Sequence, residues 1–246
     1  MPVLKDNTME ELKTASNYKF SATKVDSLGA TEYTLVTIIN DASGSVYSYA
    51  KDMEKCMKMA LGSCQKSPRA ENLMLRTVTF NHNLNEVHGF KPLSNVKEAD
   101  YDNSLSPYGD TALFDAVQSS VETTSLYAEK LHDQDFSVNS IIFVITDGQD
   151  TCSRATPSSV KRAIQAAMKN ESLESITVVL VGVGASGAGI MDYLNDFKDK
   201  AGISQFIDIG EATPGKLAKL ANFISRSVSS TSQAIQNGTS SSLLTF

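Results

Sequence analysis

Tyr33-Thr34-Leu35-Val36-Thr37-Ile38-Ile39 runs directly into Asn40-Asp41-Ala42-Ser43-Gly44-Ser45. The first seven residues are β-branched, aromatic or apolar, the pattern of a strand buried in a sheet. The loop leaving that strand then carries a carboxylate and two hydroxyls at alternate positions, Asp41, Ser43 and Ser45. All three are hard oxygen donors. Such a set suits Mg²⁺, Mn²⁺ or Ca²⁺ rather than zinc, which prefers His and Cys.

Two further segments belong with this one: Gly109-Asp110-Thr111-Ala112-Leu113-Phe114-Asp115 and Ile145-Thr146-Asp147-Gly148. In that order, the three segments resemble those of the von Willebrand factor A domain and its metal-ion-dependent adhesion site. The resemblance covers residues 33–229. It implies that Ser43 and Ser45 are hydroxyl ligands, that Asp41 is a carboxylate at or near the metal, and that Thr111 and Asp147 bind directly or through water. Mg²⁺, or Mn²⁺ or Ca²⁺ in its place, is the implied cofactor. Three positions depart from the family pattern, and none removes an oxygen ligand. Val46 stands where Met is common, Asn40 where an apolar residue is usual, and Asp110 where Gly is frequent.

Outward from these segments, β-branched runs alternate with amphipathic helical stretches. Candidate strands cover 34–39, 73–80, 86–90, 140–145, 177–181 and 205–209, and candidate helices cover 46–62, 112–132, 157–169, 190–200 and 214–229. Alternation of this kind predicts an α/β fold, a doubly wound and mainly parallel six-stranded sheet with helices on both faces. Residues 81–85 are too few for a parallel crossover, so the strands on either side form an antiparallel hairpin at one edge. In such a sheet, ligands collect beyond the carboxyl ends of strands where the strand order reverses. Asp41 and Asp147 end the first and fourth strands and are expected to meet there.

Residues 1–32 read as an N-terminal extension with a short helical pattern near 9–13, residues 33–229 as the domain, and residues 230–246 as a Ser-rich tail. The tip of the tail, Leu243, Leu244 and Phe246, forms an apolar hook. The polar connection 91–109 is long for a loop inside a compact domain and is expected to cross the metal-bearing rim.

The chain has 246 residues and a formal charge of −6, from 28 acidic and 22 basic residues, with no Lys/Arg cluster. This balance argues against nucleic acid or an anionic membrane as partner. Residues 1–30 lack the apolar stretch of a secretory signal, and no run is long enough to span a bilayer, so a cytoplasmic location is expected. Cys56, Cys64 and Cys152 are an odd set without metal-ligand spacing, which argues against a disulfide framework. Asn170-Glu171-Ser172 and Asn237-Gly238-Thr239 match the glycosylation pattern but read as ordinary sequence without an export signal.

Each site residue has a plainer role to weigh. Asp41, Ser43 and Ser45 suit a turn and a helix cap ahead of Val46, and Thr111 suits an N-cap. Asp110 and Asp115 read as charges favoured at a helix start, and Asp150 as a solvated loop carboxylate. Gly182-Val183-Gly184-Ala185-Ser186-Gly187 matches the dinucleotide fingerprint, but it follows the fifth strand rather than the first and reads as a tight exit from a strand. His82, His88 and His132 lie in separate segments and give no support to zinc or to catalysis.

Two carboxylates and three hydroxyls roughly neutralise a divalent cation and leave it electrophilic, with a position open. The expected function is therefore a divalent-cation-dependent protein-binding module whose metal shell is completed by an Asp or Glu of a partner protein. Glu98, Asp100 and Asp102 would make the rim acidic and favour Lys or Arg beside that residue. No enzymatic turnover is expected. Intracellular members of the resembled family commonly act beside ring-forming AAA-type ATPases, which the resemblance implies as a partner class. The alternatives are a structural subunit with an incidental metal and, less favoured, a metal-dependent hydrolase; a histidine or a Lys/Arg cluster on the rim would support the latter.

Overall fold

The computed structural model describes residues 8–184, 189–239 and 242–246. At its centre is β3 (Glu32–Asp41), in which every residue from Tyr33 to Asp41 is buried. Alternate residues of this strand feed opposite cores, as a two-residue period requires. Val36 and Ile38 pack with α1 (Ala50–Gln65) and α5 (Pro214–Gln236) on one face. Tyr33, Leu35 and Ile39 pack on the other face with α2 (Leu113–His132), α3 (Pro157–Lys169) and α4 (Ile190–Ala201).

Around β3 stand β4 (Leu73–Phe80) and β6 (Ser137–Thr146), both parallel to it. The remaining strands are β1 (Met9–Lys13), β2 (Lys19–Thr23), β5 (Leu84–Pro92), β7 (Ser175–Gly182) and β8 (Gln205–Asp208), and the sheet order is β1-β2-β5-β4-β3-β6-β7-β8. The α/β, mainly parallel, doubly wound architecture expected from the sequence is present. From β3 the chain builds outward first through β4 and then, after α2, through β6 on the other side, so the order reverses at β3. Asn40 pairs in register with Ile145, which sets the carboxyl ends of β3 and β6 side by side.

Among the described residues the sheet has eight strands rather than six. Residues 9–13 form β1, antiparallel to β2, where a short helical pattern was expected. Five residues contain little more than one helical turn, so the periodicity of Met-Glu-Glu-Leu-Lys does not choose between the two forms, and pairing with β2 decides. The antiparallel β4–β5 hairpin is present, but β5 is not the edge, because β2 lies parallel to it through Ala22 and Phe90.

Side chains fasten the added hairpin. Glu86 accepts hydrogen bonds from the Ser21 amide (2.9 Å) and hydroxyl (2.5 Å), while its other oxygen accepts from Arg76 Nε at 2.9 Å. The Arg76 guanidinium, taken out of water, lies 5.8 and 5.9 Å from the ring centres of Phe20 and Phe90. Gly89 lies where a Cβ would come within 2.0 Å of the Ser21 carbonyl oxygen, so β2 docks only against a glycine.

At the other end α5 continues past Ser229 to Gln236. The hook at the tip of the tail is docked: Gln205 donates to the Leu244 carbonyl at 2.9 Å and Phe246 meets Phe223 edge to face at 5.8 Å. The 91–109 connection contains two 3₁₀ turns, Leu93–Asn95 and Glu98–Tyr101, and is pinned from within. Tyr101 is buried, Leu105 donates its amide to the buried Glu54, and Asp100 and Asp102 pair with Lys91 and Lys58.

Gly89→Ala should force β2 away from β5 at a cost of about 1–3 kcal/mol, the range for overpacking a close contact. Hydrogen exchange is the check: amides of β2 should lose protection selectively, while those of β3 and β6 keep theirs. Uniform protection in the variant would show that the contact gives way elsewhere.

Candidate functional site

Asp41 is the last residue of β3 and Asp147 follows the last residue of β6, so the parallel pairing of the two strands delivers both carboxylates to one rim. Both are buried at residue level. Asp41 is held on two sides: Oδ1 accepts the Ser43 amide at 2.7 Å and Oδ2 accepts the Thr146 hydroxyl at 2.6 Å. Ser45 donates its hydroxyl to Asp147 Oδ1 at 2.8 Å, and the Ser43 and Ser45 hydroxyls lie 3.1 Å apart. Four of the five residues singled out in the sequence are thus joined by a chain of hydrogen bonds across more than a hundred positions.

Thr111 reaches the same rim through the backbone. The Gly44 amide donates to the Gly109 carbonyl at 3.1 Å, and the Tyr108 amide donates to the Ala42 carbonyl at 2.9 Å. These bonds lay segment 108–111 along the Asp41–Ser45 loop. From the far side, the Thr111 amide donates to the Thr151 hydroxyl, and the Thr151 amide donates back to the Thr111 carbonyl, both at 2.8 Å. Thr111 is buried.

None of the three hydroxyls serves as a helix cap. Residues Gly44–Ser48 form a 3₁₀ turn whose N-cap Ser43 makes no side-chain capping bond. Helix α1 starts only at Ala50, and Ala112 rather than Thr111 is the N-cap of α2. Asp115 lies in the first turn of α2, as expected, and does more besides, while Asp150 departs from its expected role. Asp115 accepts the Arg154 and Ala155 amides, while Asp150 accepts the Phe114 amide and the Ser153 hydroxyl. The two carboxylates clasp the start of α2 to the loop after β6, and Asp150 is half-buried rather than freely solvated.

Among the described residues, no Lys or Arg forms an ion pair with Asp41 or Asp147. Burial without a cation pushes the Asp41 carboxyl up from 3.8 to about 6; hydrogen bonds from Thr146 and Ser43 oppose the shift, and the Asp147 charge adds to it. A divalent cation would supply the missing charge, and the donors fit one: two carboxylates and hydroxyls, all oxygen. Among the described residues no three His, Cys, Asp or Glu side chains come together, so a cage of the kind zinc takes is absent there.

Several neighbours were not identified as site residues in the sequence. Thr146, quoted only as part of its motif, is the hydroxyl that holds Asp41. Tyr49, just after the Asp41–Ser45 loop, is buried at its hydroxyl, which lies against the Asp147 carboxylate. Tyr47 and Tyr108 are 80% and 66% exposed on the rim, the two most exposed aromatics outside the tail. His82, expected to lie apart, reaches the rim: it packs edge-on against Tyr108 at 5.1 Å, and a Cβ on Gly109 would come within 2.5 Å of its Nδ1. Among the described residues it forms no hydrogen bond with the two carboxylates; it buttresses the loop.

Of the glycine pair of the rejected fingerprint, Gly184 has a conformational reason and Gly182 fits its neighbours at ordinary contact distance. A Cβ on Gly182 would meet Leu194, Met191 and Phe206 at 3.4 Å, and Gly184 has a left-handed φ of +68° with the Tyr49 ring 3.4 Å from where a Cβ would sit. Ala185, Ser186 and Gly187 lie outside the described residues. The cysteines are free; Cys56 and Cys64 are buried and Cys152 is exposed.

No known family's sequence profile matches the chain, and no curated protein sequence matches it. Solved structures do share the fold. The D319A mutant of the PilB minor pilin from Streptococcus sanguinis is 14% identical with a TM-score of 0.61, over 89% of this chain and 66% of that one. Proximal thread matrix protein 1 from the mussel byssus, solved with a zinc-occupied MIDAS motif, is 16% identical at 0.54, over 80% and 46%. The pilus adhesin SpaC from Lactobacillus rhamnosus GG in its open conformation is 11% identical at 0.57, over 91% and 32%. The chain therefore spans from about a third to two thirds of the length of these proteins.

The raised Asp41 carboxyl gives the metal-free protein a defined pH dependence. The unfolded chain releases this proton near pH 3.8, the folded chain only near 6, so the stability Asp41 contributes is present below pH 4 and is lost as pH rises to about 6. In chelator, Asp41→Asn should gain on wild type by about 3 kcal/mol between pH 4 and pH 7. Thermal melts of both proteins across that range check it; a gap that does not change with pH would show that Asp41 is not destabilised by burial.

Proposed function

We propose that the chain is a divalent-cation-dependent protein-binding module, in which an Asp or Glu of a partner protein completes the coordination of a cation held by Asp41, Ser43, Ser45, Thr111 and Asp147. One observation carries this reading: two buried carboxylates, linked through serine hydroxyls, share a rim without a cationic side chain between them. Mg²⁺ and Mn²⁺ suit the donor set. The MIDAS motif of the byssus protein of like fold holds zinc in its solved structure, which supports a divalent ion without choosing among metals.

The proposed partner surface is the rim itself. Tyr47 follows the ligand loop by two residues and Tyr108 lies across it, so two exposed aromatic side chains bracket the position from which a partner carboxylate would approach. Tyrosines of this kind supply large contact area at small entropic cost and dominate many interfaces. The acidity of the rim does not come from Asp100 and Asp102, which are paired with Lys91 and Lys58, but Asp110 is exposed between Tyr108 and Thr111. A Lys or Arg next to the coordinating residue of the partner would meet that charge.

An enzymatic role draws no support from the site's contacts. Among the described residues, His82 makes no hydrogen bond to the cluster. Adaptor work beside an AAA-type ATPase and a cytoplasmic location, both expected from the sequence, gain nothing from the proteins of like fold named above, which are pilus and byssus proteins. Among the described residues no helix is long and apolar enough to cross a membrane.

The test is affinity for a partner recovered on the immobilised protein in Mg²⁺ and released by chelator. Thr111→Ala and Asp147→Ala should abolish capture. Tyr108→Ala should weaken it by about tenfold or more, the range for an aromatic interface anchor, while leaving metal affinity intact. Capture that persists in chelator, and is lost only on deleting residues 1–31 or the tail, would favour the structural-subunit reading.

A further inference from the structure

Beside the five-residue cluster lies a cleft of about 660 Å³. Four segments that are distant in sequence meet around it: the turn before β2 supplies Tyr18, the β4–β5 turn His82, the start of α2 Asp115, and the loop after β6 Cys152 and Arg154. The cleft adjoins the rim. His82 packs against the exposed Tyr108, and the Cys152 amide donates to the Thr111 carbonyl at 3.4 Å. The charged groups of the wall differ in what they already hold. Asp115 accepts the Arg154 amide at 3.1 Å on one oxygen and the Ala155 amide at 2.8 Å on the other. Nearby, Glu122 accepts the Ser16 hydroxyl at 2.9 Å and the Gln118 side-chain amide at 2.8 Å, both from residues of the same wall. Arg154 is exposed, and among the described residues its guanidinium forms no ion pair and no hydrogen bond. Burial and the charges of Asp115 and Glu122 push the Tyr18 hydroxyl up to about 12, and the Arg154 charge opposes them, which sets the guanidinium near that hydroxyl.

We infer that Arg154 receives a second carboxylate of the partner, from an Asp or Glu two to four residues away from the one that completes the cation; this rests on the cation site proposed above. The recognised partner is then a segment with two acidic side chains at a fixed spacing. That spacing follows from the fold. Asp115, which accepts the Arg154 amide, comes four residues after Thr111, so the Arg154 backbone lies about one helical turn, roughly 5 Å, along from Thr111, and its side chain extends the reach. An extended partner segment advances about 3.3 Å per residue, so a side chain two to four positions from the coordinating one lies at about 7–13 Å.

The chemistry of the wall selects a tethered carboxylate rather than a free anion. Asp115 and Glu122 repel a small anion arriving from solution. A carboxylate already held through its neighbour at the cation is present at an effective concentration in the millimolar range, which offsets that repulsion. Arginine offers a carboxylate two parallel hydrogen bonds, and the Tyr18 hydroxyl, protonated at ordinary pH, is a further donor on the same wall. The Asp115 bond fixes the backbone from which the Arg154 side chain springs, so its position is built into the start of α2. Arg154 is thereby a specificity-determining residue: it distinguishes partners with the second acid from partners that offer only the first.

The test measures fluorescence polarisation of labelled peptides on the full chain at pH 7.5 in saturating Mg²⁺. Each peptide carries one Asp beside a Lys, with either Glu or Gln placed two, three or four positions from the Asp on one side or the other, and Gly or Ser elsewhere. At one spacing at least, the Glu peptide should bind about tenfold tighter than its Gln counterpart, the worth of a charge-assisted hydrogen bond. Arg154→Gln should abolish that preference and leave both the Gln-peptide affinity and the Mg²⁺ affinity unchanged, while Arg154→Lys should retain part of it. Glu and Gln peptides that bind alike at every spacing, or not at all, to protein that calorimetry shows to hold Mg²⁺ would overturn the inference, as would a preference that survives Arg154→Gln. Failure of wild type itself to bind Mg²⁺ would instead overturn the cation site.

Discussion

Two buried carboxylates at the junction of β3 and β6, with no lysine or arginine between them among the described residues, set the terms for the rest of the structure. A single unpaired carboxylate at such a place is costly, and two together more so. The fold bears the cost through hydrogen bonds: the Thr146 hydroxyl and Ser43 amide on Asp41, and the Ser45 hydroxyl on Asp147. These bonds do not cancel the burial, which is why the Asp41 carboxyl still lies near 6. The residual imbalance is what a divalent cation would relieve.

The surrounding elements keep that imbalance in place. Helices α1 and α5 cover one face of β3 and α2, α3 and α4 the other, so the strand end is fixed from both sides. The 91–109 connection is anchored by buried Tyr101 and by Glu54 before it delivers Tyr108 and Gly109 to the Asp41–Ser45 loop. The clasp made by Asp115 and Asp150 then secures the two loops that carry Thr111 and Asp147. The positions of these side chains are thus set by a packed scaffold rather than by the loops alone.

Much of this was legible in the sequence because the central strands are buried on both faces and spell themselves out as β-branched runs. The meeting of Asp41 with Asp147 followed from strand order and register. What escaped reading depended on contacts between distant segments. The five residues of β1 carry too little periodicity to separate strand from helix, and only β2 decides. The Arg76, Glu86 and Ser21 link, with Gly89 beneath it, joins three segments that show no local signal. His82 reached the rim because a turn folds it behind Gly109, and Tyr49 because its ring rests on Gly184. Asn40 was visible only as a departure from the family pattern.

The account stands on a cation replacing the proton of a destabilised carboxylate, and calorimetry measures both at once. Titrating Mg²⁺ into the metal-free protein at pH 6, in two buffers of different ionisation enthalpy, should give one saturable site with release of about half a proton, as a carboxyl of pKa about 6 requires. At pH 8 the release should vanish while binding tightens. No saturable heat at either pH, or binding without proton release at pH 6, would contradict it.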